Sequence, residues 1–85
     1  MKHATAAALD QIELLLAELR RLPGLTERSR GVFYRKGRAF LHFHEDPLGL
    51  FADIRDALGR DFERFDVTRS NGRESLLERA RKRAS

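Results

Sequence analysis

The chain has 85 residues, room for one small domain, and it carries no cysteine, which excludes disulfides and thiolate metal sites. A formal charge of +4 permits contact with a polyanion, although its 17 basic residues are interleaved with 13 acids. No apolar run approaches the ~20 residues of a membrane span, and the first residues lack the apolar stretch of a secretory leader, so the expected location is the cytoplasm.

Residues 5–22 predict an amphipathic helix. Leu9, Ile12, Leu16 and Leu19 fall on one stripe, Leu15 and Leu22 widen it, and Pro23-Gly24 ends it. Leu25 to Arg30 reads as a polar connector. Residues 31–35 are rich in β-formers, Lys36-Gly37 is a turn signal, and Arg38 to His44 alternates as a second strand. Asp46-Pro47 makes the next turn. Leu48 to Arg55 forms a third strand in strict period two, and residues 62–67 are a candidate fourth. Asn71, with Glu74 three residues on, reads as the cap of a last helix over about 72–84, whose Leu76, Leu77, Ala80 and Ala84 share a face. The basic run Arg79 to Arg83 suits a helix C-terminus. The expected fold is a single α+β domain spanning 1–85. Its antiparallel meander has three to four strands, both helices lie on one face, and residues 1–4 and 85 fray.

The hairpin register separates two faces. A two-residue loop at Lys36-Gly37 pairs Tyr34 with Ala39, Phe33 with Phe40 and Val32 with Leu41. Past the second turn, His44 is placed opposite Gly49 and His42 opposite Phe51. One face then holds Val32, Tyr34, Ala39, Leu41, Phe43, Leu48, Leu50, Ala52 and Ile54 and is the expected core. The other holds Phe33, Arg35, Arg38, Phe40, His42, His44, Phe51, Asp53 and Arg55. Three phenylalanines rimmed by charge are the mark of an interaction surface.

That second face points first to a non-enzymatic module that binds a partner or forms a homodimer, with the arginines at the rim. Residues 56–71 folding back across it would bury the same phenylalanines within one chain. His42 and His44 project side by side, a spacing that metal sites use, and Asp53 lies diagonal to His42. His3 is remote in sequence. With no third ligand secured, no metal or other cofactor is favoured. Catalysis has little to stand on: no cysteine, nucleophile elbow, P-loop or Gly-x-Gly-x-x-Gly is present.

The octapeptide Lys36-Gly37-Arg38-Ala39-Phe40-Leu41-His42-Phe43 resembles the signature strand of the RNA-recognition-motif family. The resemblance implies single-stranded nucleic-acid binding, with bases stacked on Phe40. Arg38 stands where that family places its first stacking aromatic, and the family's leading strand has no counterpart before the first helix. Over residues 22–55, the Leu-Pro-Gly, Gly-Val-Phe-Tyr, Phe-Leu-His-Phe-His-Glu-Asp-Pro and Ala-Asp-Ile-Arg segments resemble a small class of short bacterial proteins. The plan of a helix and Leu-Pro-Gly ahead of a meander is also similar to YjbR-like proteins. Neither of these two resemblances implies an activity.

Overall fold

Turn chemistry and alternation build the sheet. The computed structural model describes residues 2–85. The elements are β1 (Lys2–His3), α1 (Ala6–Gln11), α2 (Glu13–Arg20), β2 (Leu25–Ser29), β3 (Val32–Arg35), β4 (Arg38–Asp46), β5 (Gly49–Arg55), β6 (Phe62–Asp66) and α3 (Ser70–Ala84). All pairings are antiparallel, in the order β2-β3-β4-β5-β6, and β1 adds to β4 where β3 has ended. Lys36 and Gly37 take φ of 52° and 78°, the pair of positive values that a type I′ hairpin turn requires. At the next turn Asp46 Oδ1 accepts the Leu48 N–H at 2.8 Å, an Asx turn that closes the two-residue Pro47-Leu48 loop.

The fold is the expected α+β arrangement, with more strands. The segment 25–29, expected as a connector, is an edge strand whose half-buried Leu25 and Glu27 alternate with exposed neighbours. Glu27 takes the Arg20 guanidinium and the Gly31 N–H, so its inward position is satisfied. Lys2 and His3, expected to fray, pair with Glu45 and His44. The first helix is interrupted at Ile12 (φ −115°, ψ 24°), whose N–H reaches Leu9 instead of continuing the four-residue ladder. Both halves still present one stripe, with Leu9, Ile12, Leu16 and Leu19 all buried. The last helix begins at Ser70, and Asn71 lies inside it rather than capping it. Leu48, expected in the core, sits in the turn and is 86% exposed.

Residues 62–66 form an edge strand beside β5, so they lengthen the sheet instead of folding across it. The helices cover one face. Leu16 and Leu19 of α2 and Leu76 and Ala80 of α3 join Phe33, Leu41, Phe43, Ala52 and Ile54 in a single cluster. Glu63, on that same face of β6, is held by Arg79 and Arg83 of α3. Among the described residues no helix is long and apolar enough to cross a membrane.

One irregularity reorganises the hairpin. Tyr34 pairs with Ala39, but Phe33 pairs with Leu41, so Phe40 is an extra residue on β4. Such a bulge leaves two consecutive side chains opposite one. Phe33, Phe40 and Leu41 are all buried, at 1%, 5% and 0% exposure. Tyr34 correspondingly leaves the core and carries the Arg28 guanidinium 4.0 Å from its ring centre.

Candidate functional site

The uncovered face is built by alternation along β4 and β5. The second turn is formed by Pro47-Leu48, so the β4–β5 register differs by two residues from the expected one. His42 lies opposite Asp53 and His44 opposite Phe51. A shift of two preserves the faces and changes the neighbours. Asp53, expected diagonal to His42, now stands directly across from it. On the far side of β5, Asp53 faces Arg64 of β6. On the far side of β4, His44 faces His3 of β1.

Four titratable side chains therefore meet. The His42 and His44 rings are 4.7 Å apart, edge to face, and His3 stacks on His44 at 5.1 Å. His44 Nε2 is 3.4 Å from Asp53 Oδ2. One ligand atom each from His42, His44 and Asp53 falls within 4.8 Å of the other two. Arg64 grips Asp53 with two parallel hydrogen bonds, Nε to Oδ1 at 2.7 Å and Nη2 to Oδ2 at 2.8 Å. Phe62 closes the side of the cluster, its ring 5.0 Å from that of His42.

The electrostatics suit ligation. Hydrogen bonding from Arg64 holds the Asp53 carboxyl below its ordinary range, against the opposing effect of burial. Burial, helped by the neighbouring His44, pushes the His42 imidazole down, so its neutral, metal-binding form is favoured. The Nδ1 atoms of His42 and His44 are buried and find no hydrogen-bond partner among the described residues. Buried polar atoms are nearly always paired, so two neighbouring exceptions call for an explanation. Comparison with protein-family models, curated proteins and solved structures finds no match.

Of the residues expected on this face, His42, His44, Phe51 and Asp53 are together on it. Phe33 and Phe40 are not; the bulge buries both in the core. An aromatic patch for a homodimer thus loses two of its three phenylalanines, and Phe40 is out of reach as a platform for nucleic-acid bases. Arg55 keeps to this face, its guanidinium 4.7 Å from the Phe62 ring centre, and also reaches a separate cleft at the hairpin tip where Arg35 and Arg38 gather. His3 and Arg64 are the additions. A two-residue strand has no periodicity to reveal it, so His3 gave no signal. Arg64 could have been placed from the alternation Phe62, Arg64, Asp66.

Two imidazoles and a carboxylate are borderline donors, the set used by zinc and its first-row neighbours. A tetrahedral ion with bonds of about 2.1 Å holds its ligand atoms roughly 3.4 Å apart, so these side chains need to close by up to roughly 1.4 Å. Asp53 can give one oxygen to an ion and keep the other on Arg64, since a carboxylate has about four acceptor positions. His3 stacks on His44 beside this group without belonging to it.

Proposed function

We propose that the protein is a non-enzymatic binding module whose open sheet face takes up a divalent transition-metal ion, with zinc the best fit to the donors. His42, His44 and Asp53 are the ligands, His3 stacks beside them on His44, and Arg64 positions Asp53 from outside the set. The observation that carries this reading is the convergence of three donor side chains on neighbouring strands, with one ligand atom each within 4.8 Å of the other two. Coordination stabilises the fold by binding the native state alone.

Calorimetry with zinc on chelator-washed protein, together with the imidazole NMR signals, provides the test. A single site per chain, with His42 and His44 signals shifting together, is the expected result. Histidine signals that ignore micromolar zinc, or uptake that survives in a His42→Ala/His44→Ala variant, would overturn the reading.

A further inference from the structure

The hairpin tip carries a second site that shares no residue with the histidine cluster. A cleft of about 430 Å³ lies between the β3–β4 turn, the loop from Asp56 to Gly59 and the last turn of α3. Six cationic side chains line it: Arg35, Lys36, Arg38, Arg55, Lys82 and Arg83. Asp56 is the one carboxylate in its wall, and its charge is already engaged. The N–H groups of its own loop, among them that of Arg60 at 3.1 Å from Oδ1, hold its carboxyl below the ordinary range, although burial opposes them.

Lys82 and Arg83 already pair with Glu78 and Glu63; the other four are arranged for an anion that the chain itself does not supply. Arg38 Nη2 and Arg55 Nη1 both donate to the carbonyl oxygen of Gly59, at 3.0 and 3.1 Å. Arg55 Nε donates to the Ala39 carbonyl at 2.7 Å. Two guanidinium groups thus converge on one neutral acceptor, and among the described residues neither has a carboxylate partner. Like charges brought together this way repel, and a bound anion relieves the repulsion. Arg35 and Lys36 have no ion-pair partner among the described residues either. The bulge at Phe40 contributes here, because it brings Arg35 and Arg38 into one cleft with Lys82 and Arg83.

We propose that this cleft binds a small ligand bearing two or more adjacent phosphate groups. Planar arginine forks match phosphate oxygens, and several of them in one concavity match a chain of phosphates better than a single charge. The volume falls in the range of small-molecule sites, about 300–1,000 Å³. The walls present Ala39 and Leu58 but no exposed aromatic ring on which a strand of bases would stack.

Calorimetry on chelator-washed protein with inorganic tripolyphosphate and with a nucleoside triphosphate, at low and then at higher salt, tests this. Saturable binding of either probe that weakens as salt rises is expected, with a loss of about tenfold in Arg38→Gln and in Arg35→Gln/Lys36→Gln. Arg21→Gln, a change of charge elsewhere on the surface, should bind as the parent does. Thermal melts of each variant show whether a loss reflects the cleft or the fold. No binding at millimolar probe, an equal loss in Arg21→Gln, undiminished binding in the cleft variants, or binding confined to a single-stranded RNA would each overturn the proposal.

Discussion

Asp53 is held between two strands, with His42 directly across from it on β4 and Arg64 closing on both its oxygens from β6. Asp53 is 7% exposed, and a buried charge persists only where it is paired and hydrogen-bonded. Arg64 supplies that pairing, and its own side chain stays half in solvent. The pair keeps a negative charge in place beside two imidazoles whose Nδ1 atoms have no hydrogen-bond partner among the described residues.

Loss of a ligand should be read out in affinity. His44→Ala is expected to weaken zinc binding by more than about tenfold, since even groups that only orient ligands are worth 10- to 100-fold. His3→Ala should have a smaller effect, because His3 only stacks on His44. Competition against a chromophoric chelator measures both.

The metal-free protein should lose stability as the pH falls through the histidine range. Burial, then the charge of His44, lowers the His42 pKa from its ordinary value of 6.5. Below that value the unfolded chain takes up a proton that the folded chain resists, so acid favours unfolding until the folded value is passed. Urea midpoints should decline from pH 7 toward pH 5, and His42→Gln should flatten the decline. Glu63, held low by Arg83, and Asp53, held low by Arg64, add their own loss only in the carboxylate range, below about pH 4.5.

Two glycines should respond very differently to alanine. A Cβ on Gly72 would stand 1.8 Å from the Asp66 carbonyl oxygen, where the first turn of α3 meets the end of β6. Gly72→Ala is expected to destabilise by about 2–4 kcal/mol, because backbone has to move. Gly37, at φ 78° with open space around it, should lose only ~1 kcal/mol from the left-handed conformation. Urea denaturation of the two variants compares them.

Phe40→Ala should cost about 3–5 kcal/mol, the range for a buried aromatic. That is much of the total for a small domain, so its thermal transition should fall steeply or vanish. A surface phenylalanine would leave it unchanged.

The helical stripes were readable because leucines at helical spacing have few other uses: Leu9, Ile12, Leu16 and Leu19, and Leu76 with Ala80, are buried as expected. The Lys36-Gly37 turn was readable from its chemistry. Register was harder. Leu48 continues the apolar alternation of β5, yet Asp46 closes a two-residue loop that leaves it outside, and the pairing moves by two. That shift could not be derived from periodicity, because both registers place the same residues on the same faces. The bulge at Phe40 was invisible for a related reason: Phe33 and Phe40 were apolar in either position. Edge strands β1 and β2 bury too little to impose a pattern. So His42, His44 and Asp53 were legible as sharing a face, while their contact, and the arrival of His3 and Arg64, depended on pairing between distant segments.

The bulge also bears on how the chain tolerates a change in length. Pairing is regular on both sides of Phe40, with Arg35 opposite Arg38 and Tyr34 opposite Ala39 toward the turn, and Phe33 opposite Leu41 beyond it. Excising Phe40 would therefore leave an uninterrupted hairpin with the same turn and the same partners, and the histidines would keep their side of the sheet. The penalty of a one-residue deletion here is an empty volume the size of a benzyl group, not a slipped strand. At this position a shorter chain and a smaller side chain are nearly the same lesion.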